Sequence, residues 1–425
     1  MTALLCLGSN LGDRKRNLEA ALQAVTSTGD RVLRVSPAVE TPALLPPNAP
    51  GDWNRPYLNL AAKIQTTANP LELLSRAKAI EAQLGRTDGP KWAPRPVDID
   101  IALFDDIEMS SDVLTIPHAL LTDRAFALCP LAAIDPLRNI PGTGDSILSA
   151  YRRLRQSLPM WMGIVNLTPD SFSDGGRHAH WDAIESTLDE MTEAGAALLD
   201  FGAESTRPGA TPLTPAEEWA RLEPVLGKVV DRYSGDFIRP RISVDTYHPE
   251  VARRATSLGV DVINDIGGLS SPEMIALAAE GRTDWIAMHQ LSIPADPRRT
   301  LPADRDPIEQ IKEWLEQQIG IWQAAGLDLS RIVFDPGVGF GKTPLQSLEI
   351  VRRIEAFVRA DLRVLVGHSR KSFMSGLGDP GPASRDLITI GSSLELASRG
   401  VDILRVHNVP DHVLAYRGFA HASPA

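Results

Sequence analysis

From residue 161 onward the chain repeats one event eight times: an apolar, β-rich run, a polar residue at its end, then a helical segment. The runs occupy 161–166, 197–202, 241–246, 261–266, 284–289, 331–336, 363–368 and 402–408. Strand and helix alternating in this way predict parallel strands joined by crossover helices. Eight repeats close into an α/β (β/α)8 TIM barrel of about 250 residues, whose sites lie at the carboxyl ends of the strands. Those ends read Asn166, Gly202-Ala203-Glu204, Asp245, Asn264-Asp265, Met288-His289, Asp335, His368-Ser369-Arg370-Lys371 and Arg405-Val406-His407. A hydrophilic residue at any one strand end is ordinary, but a site-type residue at nearly every end is not.

A chain of 425 residues exceeds one such barrel, and the residues before it follow a different plan. Ala3–Leu7, Val32–Val39, Tyr57–Thr66 and Val97–Phe104 read as strands. The first helix carries Leu18, Ala21, Leu22 and Val25 at helical spacing. The second opens on Asn69-Pro70-Leu71-Glu72, buries Leu73, Ala77, Ile80 and Leu84, and stops at Gly85. A further helix runs through Arg124 and Leu131. Strand-helix-strand-strand-helix-strand is the α+β ferredoxin-like order. The Pro-rich loop with Thr41-Pro42 and Leu45-Pro46-Pro47 cannot be sheet. Asn139–Ser146 is rich in Gly and Pro, and Ile147–Leu158 reads as a short amphipathic helix. The domains are therefore expected at 1–150 and 160–425, with a short linker at 151–159.

The formal net charge of −11 argues against a general partner of nucleic acid or acidic membrane, so any anion site must be local. No run approaches the roughly 20 apolar residues of a membrane span, and Ala3–Leu7 is too short for a signal-peptide core. The two cysteines, Cys6 and Cys129, lie in apolar runs and read as buried structural thiols in a reducing compartment. A soluble, cytoplasmic protein is expected.

Within the first domain, strand alternation places Asp98 and Asp100 on one face, with Val97, Ile99 and Ile101 on the other. Two carboxylates so placed can hold hard divalent ions such as Mg²⁺ together with phosphate oxygens. Arg86, Lys91, Trp92 and Arg95 lie just upstream, able to neutralise a triphosphate and stack on a ring. In the barrel, Asp245, Asn264, Asp335 and Lys371 match the amide, amino and ring-nitrogen edge of a planar heterocycle. Neutral Asn166 suits a phosphate-bound Mg²⁺, and Arg207, Arg405 and His407 supply positive charge. Together they point to a heterocycle bearing a diphosphate. Gly337–Thr343 resembles a phosphate loop only loosely, because a Walker A would put its first glycine at Pro336; it reads instead as a flexible strand-to-helix loop. No zinc-type spacing includes His289 or His368, which read as satisfied polar histidines.

Several motifs now carry a resemblance. Leu7-Gly8-Ser9-Asn10-Leu11-Gly12, Tyr57-Leu58-Asn59, Trp92-Ala93-Pro94-Arg95-Pro96-Val97-Asp98-Ile99-Asp100, Pro117-His118 and Arg124-Ala125-Phe126 resemble 6-hydroxymethyl-7,8-dihydropterin pyrophosphokinase. The resemblance implies that Asp98 and Asp100 bind Mg²⁺ bridging ATP and the pterin. It gives Arg86, Lys91, Arg95, His118 and Arg124 to ATP, with Lys91 standing in a loop shorter and less basic than the family's. Thr41, Pro42, Leu44, Tyr57, Asn59, Trp92 and Phe126 would line the pterin pocket.

The second half resembles dihydropteroate synthase through Met162–Asn166 with Thr168–Gly176, Glu204-Ser205-Thr206-Arg207-Pro208-Gly209, Ser243–Thr246, Ile263–Asp265, Asp335-Pro336-Gly337, Ser369–Ser372 and Arg405–His407. This implies condensation of dihydropterin diphosphate with p-aminobenzoate. Asp245, Asn264, Asp335 and Lys371 would hold the pterin. Asn166, Arg207, Arg405 and His407 would hold the diphosphate, and Thr206, Pro208, Phe340, Lys371 and Ser372 the aminobenzoate. Thr168–Arg177 and Glu204–Pro215 would be closing loops. The implied catalytic groups are Asp98, Asp100, Arg86, Arg95, Lys371, Arg405 and His407. The implied partners are small molecules, with a homodimer through the barrel left open. Two other readings stay open: a pterin-binding methyl-transfer module, which needs neither Lys371-Ser372 nor the cationic set, and a degenerate scaffold, which predicts lost catalytic groups.

Overall fold

The apolar run after Met1 forms strand β1 (Thr2–Ser9), which is apolar on both sides because both faces of its sheet are covered. In the computed structural model Ala3, Leu5 and Leu7 pack in one core with Leu18, Leu22 and Ile80, while Leu4 packs in another with Leu128, Leu131 and Tyr151. The structure describes the chain apart from residues 88, 91, 155, 157, 168–176, 205–210, 297, 359–360, 375–376, 378–380 and 423–425, and the side chains of 177–180, 372 and 382.

The first unit comprises Met1–Leu158 with Gly235–Arg239. After β1 come α1 (Arg14–Ser27), β2 (Arg31–Val35), β3 (Val39–Thr41), β4 (Tyr57–Gln65), α2 (Pro70–Gln83) and β5 (Asp98–Phe104). The sheet order is β2-β4-β1-β5 with antiparallel neighbours, as the ferredoxin-like plan requires. The expected strand Val32–Val39 is instead two pieces. Pro37 has no N–H for the ladder, and Ser36 turns its hydroxyl to accept from the Ala61 N–H at 2.9 Å. Strand β3 still pairs with β4 on the far side of this break. The stripe Leu18, Ala21, Leu22 and Val25 is buried as expected, and α2 starts with a complete Asn69/Glu72 capping box.

Two short ladders, β6 (Met109–Ser110) with β7 (Thr115–Ile116) and β8 (Asn139–Ile140) with β9 (Asp145–Ser146), flank α3 (Ala125–Ile134). Helix α4 spans Ile147–Arg153. Residues 151–158 stay with this unit: the Leu158 N–H donates to the Tyr151 hydroxyl at 2.7 Å, and its carbonyl accepts from the Cys129 thiol at 3.3 Å.

The second unit comprises Pro159–Ser234 and Pro240–Ala425. Strands β10 (Met160–Asn166), β11 (Leu198–Gly202), β12 (Arg241–Asp245), β13 (Val262–Asp265), β14 (Asp284–Met288), β15 (Ile332–Asp335), β16 (Arg363–Val366) and β17 (Ile403–Val406) form a closed parallel barrel. Each falls within two residues of its expected bounds. Many of the intervening helices open on a proline at the first helical position, as at Thr214-Pro215, Ser271-Pro272, Asp306-Pro307 and Thr343-Pro344, where a missing N–H costs nothing. Register aligns the strand ends: Asn166 pairs with Gly202, Gly202 with Asp245, and Asp245 with Asn264. Polar side chains from β10, β12 and β13, with Gly202 of β11 between them, therefore share one level of the barrel mouth. No helix among the described residues is long and apolar enough to cross a membrane.

Candidate functional sites

In the first unit, β1 lies between β4 and β5, and the ladder sets Gly8 opposite both Asn59 and Asp98. A Cβ at Gly8 would stand 3.1 Å from Asn59 Oδ1 and 3.4 Å from the Tyr57 ring, so glycine keeps the floor of the site open. Above that floor is a cavity of about 280 Å³. Its lining brings together the expected Thr41, Leu44, Tyr57, Asn59, Arg86, Trp92, Arg95, Asp98, Asp100, His118, Arg124 and Phe126. Pro42 is exposed and is not among the lining residues. Lys91 lies outside the described residues. The loop after Thr41 is irregular as expected, while Thr41 itself ends β3 and accepts from Asn59 Nδ2 at 2.9 Å.

The electrostatics of the two aspartates differ. Arg86 forms a short pair with Asp98 Oδ1, and Arg95 reaches Asp98 Oδ2 at 3.1 Å. Burial opposes ionisation of Asp98, yet these two guanidinium groups hold its carboxyl below the usual range. Asp100 has no such pair. Its burial, followed by the charge of Asp98, raises its carboxyl above the usual range. Among the described residues, the strand thus presents one carboxylate paired with two guanidiniums and one without an ion pair.

Three participants were not singled out in the sequence. Glu81, only 1 % exposed, receives the Ile99 N–H at 2.7 Å, Lys78 Nζ at 2.9 Å and Arg86 Nη1 at 2.7 Å. It ties α2 to β5 and aims Arg86. A carboxylate inside the stripe Leu73, Ala77, Ile80 was the available signal. Lys78 lines the cavity, and so does Cys6, which is half-buried and stands opposite Asp100 in the ladder. The expected structural thiol is therefore a cavity wall at Cys6, whereas Cys129 is buried; both are free.

In the barrel, Asp200 is fully buried and organises the interior. It accepts from Ser243 Oγ at 2.6 Å, Asn264 Nδ2 at 3.0 Å and Arg405 Nε at 2.6 Å. Arg405 also donates to Asp245 Oδ2 at 2.8 Å. The arginine expected at an anion thus has two of its nitrogens engaged by acids, Asp200 fully buried and Asp245 half-buried. Burial pushes the Asp245 carboxyl up to about 7 despite Arg405. Asp200 was missed, although a lone acid within Ala197–Phe201, two residues before an inward Gly202, signalled it by strand parity.

On the opposite side, Lys371 Nζ donates to the Val338 carbonyl at 2.5 Å and sits 4.6 Å from the Phe340 ring centroid. Burial lowers its ammonium to about 8, with Asp335 opposing the shift. Asp335 accepts from the Gly337 N–H at 2.7 Å, and its carboxyl is raised by burial. His407 Nδ1 lies 2.9 Å from Ser369 Oγ. Asn166 closes β10, half-buried, at the same level as Asp245 and Asn264. His368 bonds Ser393 Oγ at 2.9 Å, and His289 bonds Lys342 Nζ at 2.7 Å. Gly337–Thr343 connects β15 to the helix at Pro344. Thr206, Arg207, Pro208, the Ser372 side chain and the loop Thr168–Gly176 lie outside the described residues.

A carboxylate pair flanked by guanidiniums on an α+β domain, and a barrel mouth that gathers Asp245, Asn264, Asp335 and Lys371, set the frame for comparison with known two-domain transferases. Residues 4–136 match the family model of 7,8-dihydro-6-hydroxymethylpterin-pyrophosphokinase, and residues 162–407 that of the pterin binding enzymes. The chain is 39% identical over 426 residues to the folate synthesis bifunctional protein of Chlamydia trachomatis, covering 95% of this chain and 94% of the relative. The second unit is similar to the dihydropteroate synthase of Xanthomonas albilineans solved with 4-aminobenzoic acid, at 36% identity and TM-score 0.56, covering 63% of this chain and 94% of that one. It is also similar to the dihydropteroate synthase of Anaplasma phagocytophilum solved with 6-hydroxymethylpterin-monophosphate, at 34% identity and TM-score 0.55, covering 62% and 98%. The chain belongs to the bifunctional folate-synthesis enzymes, which join a hydroxymethyl-dihydropterin pyrophosphokinase to a dihydropteroate synthase. It is a transferase of folate biosynthesis with ATP as co-substrate.

Proposed function

We propose that the cavity around Asp98 and Asp100 transfers the diphosphate of ATP to the hydroxymethyl oxygen of dihydropterin, releasing AMP. The observation that carries this is the convergence, on one cavity, of a carboxylate pair, Arg86, Arg95 and Arg124, and the Tyr57/Asn59/Phe126 wall. Asp100 makes no ion pair among the described residues, and with Asp98 on the same strand face it fits Mg²⁺. When bound, that ion supplies charge compensation for the phosphate oxygens. The chain's own groups do the rest: Asn59 and Thr41 present donors and acceptors to the pterin edge. Arg86, Arg95, His118 and Arg124 orient the phosphates, with Lys91 as their companion.

In the barrel we assign the pterin edge to Asp245, Asn264, Asp335 and Lys371. The diphosphate falls to Asn166, Arg207, Arg405 and His407, and the aminobenzoate to Thr206, Pro208, Phe340, Lys371 and Ser372. The C–O bond to the diphosphate breaks, the aminobenzoate nitrogen bonds to the pterin methylene and loses a proton, and pyrophosphate departs. The buried Asp200–Arg405–Asp245 chain supports this by fixing dipoles before the reaction. Exposed Leu345, Leu387 and Leu414 on three barrel helices are consistent with a homodimer through this unit. An acidic chain with two free thiols suits the cytoplasm.

The test supplies ATP, Mg²⁺, hydroxymethyl-dihydropterin and p-aminobenzoate and follows AMP and dihydropteroate separately. Asp98→Ala is expected to abolish AMP formation yet still convert added dihydropterin diphosphate, while Lys371→Ala is expected to do the reverse. Parental dihydropteroate formation by Lys371→Ala refutes its assignment.

A further inference from the structure

Beside the barrel mouth stands a cluster to which the transferase reading gives no task. Glu204 lies two residues past β11, Glu218 on the helix Pro215–Arg232, and His248 three residues past β12. One donor atom from each lies within 4.8 Å of the others. His248 Nε2 is 3.8 Å from Glu204 Oε2 and 3.9 Å from Glu218 Oε2, beyond hydrogen-bond range of both. Among the described residues, that nitrogen is buried and has no hydrogen-bond partner. Among the described residues, no lysine or arginine pairs with either carboxylate, though Glu218 is only 1 % exposed. Two acids and an imidazole nitrogen thus face one point that no described cation fills.

We propose that Glu204, Glu218 and His248 form a binding site for a divalent transition-metal ion of the zinc class, separate from the carboxylate pair of the first unit. An ion with tetrahedral bonds of about 2.0–2.2 Å sets its donors roughly 3.3–3.6 Å apart, so the two His248 separations need to close by only a few tenths of an ångström. Imidazole nitrogen beside carboxylate oxygen selects against Mg²⁺, which prefers all-oxygen octahedra, and in favour of zinc-like ions. Three protein ligands leave a fourth position for water. The supporting contacts are already built. Tyr247 donates its hydroxyl to Glu204 Oε1 at 2.9 Å, leaving Oε2 toward His248, and the Leu213 N–H holds that Oε2 at 3.1 Å. Thr246 Oγ1 lies 3.2 Å from Glu218 Oε2, and the Tyr247 ring packs 4.2 Å from the imidazole. Outer contacts of this kind orient metal ligands. Once loaded, the ion would cross-link the exits of β11 and β12 to the helix between them, three residues from Asp245.

The experiment uses the full chain, stripped of metal by a chelator and then held in excess Mg²⁺ to occupy the first unit. Co²⁺ is titrated in, and its visible absorption and its competition with Zn²⁺ are recorded. The expected result is the intense spectrum of a four-coordinate nitrogen- and oxygen-bound ion, displaced by Zn²⁺ and retained in Asp98→Asn. His248→Lys places a fixed cation between the two acids, so folding is preserved without metal. It should weaken Co²⁺ binding at least as much as the roughly 10–100-fold that loss of an outer contact costs, and Glu218→Gln should do likewise. Zn²⁺ should raise the thermal midpoint of the parent and leave that of His248→Lys unchanged. Parental Co²⁺ affinity in His248→Lys, only a weak octahedral spectrum in the parent, or loss of the band in Asp98→Asn would each overturn the proposal.

Discussion

Asp200 offers the sharpest test of how the barrel mouth is held. Its carboxylate accepts three bonds, and the two oxygens are not equivalent: Oδ1 meets only Ser243, whereas Oδ2 meets both Arg405 and Asn264. In Asp200→Asn the amide oxygen can take the Oδ2 place, and the NH₂ can face Ser243, whose hydroxyl turns to accept. Arg405 and Asn264 keep their acceptor, and only the Ser243 O–H gives up the one it had. The loss is then that of charge at Arg405, from a charge-assisted bond worth about 1.5–3 kcal/mol to a neutral one worth about 0.5–1.5, a net cost of roughly 1–2 kcal/mol. Asp200→Ala leaves Arg405 Nε and Asn264 Nδ2 without this partner, with Asp245 the remaining acid on Arg405. Breaking a buried pair in this way costs about 3–5 kcal/mol. Of the eight tryptophans, Trp161, Trp181, Trp219, Trp285, Trp314 and Trp322 lie in the barrel unit, so fluorescence during urea unfolding reports chiefly on it. The alanine variant should lose at least twice the stability that the asparagine variant loses, and dihydropteroate formation from added dihydropterin diphosphate should fall in the same order. AMP formation by the first unit should not change. An alanine variant within about 1 kcal/mol of the parent refutes the claim that Asp200 organises Arg405.

The Lys371 ammonium, lowered by burial to about 8, is charged below that pH and neutral above it. The synthase kcat/KM should therefore fall as pH rises through about 8, and this limb should be missing from Lys371→Arg, whose guanidinium stays charged. Glu81→Gln keeps an acceptor for the Ile99 N–H but removes the charge that aims Arg86. AMP formation should drop about tenfold, equivalent to ~1.4 kcal/mol, with synthase activity unchanged. Gly337 has φ +68°, and a Cβ there would collide with the His289 carbonyl oxygen. Gly337→Ala should cost at least about 1–3 kcal/mol of barrel stability by urea titration.

The sheet and barrel were legible because both units bury apolar surface with a clear period. The stripe on α1, the Asn69/Glu72 box and all eight barrel runs emerged where spacing placed them. The break at Ser36-Pro37 was legible in principle, since proline lacks the ladder donor, but the apolar run on either side of it outweighed that signal. The segment 151–158 read as linker because composition does not show that Tyr151 and Cys129 both hold Leu158.

The sites were less evenly legible, for a physical reason. Residues that would touch a ligand sit at strand ends, where a polar side chain interrupts an apolar run and is easily noticed: Asp98, Asn166, Asp245, Asp335. Residues that position them sit inside apolar stretches, where pattern reading treats a charge as noise. Glu81 within the α2 stripe and Asp200 within β11 are both of this kind, and both are almost wholly buried acids. A buried acid is costly unless donors surround it, so an acid on the inward parity of a core element carries information about its neighbours: it requires several donors, at least one of them cationic. Applied to β11, that rule demands a basic partner inside the barrel, and Arg405 of β17, one strand beyond β10, meets it. Applied to α2, it demands a guanidinium near the end of the helix, and Arg86 is there. The same reasoning makes Glu218 the exception, an acid on a core face that meets a hydroxyl but no described cation, with an imidazole nitrogen 3.9 Å away, and so the place where a bound metal ion would complete the pattern.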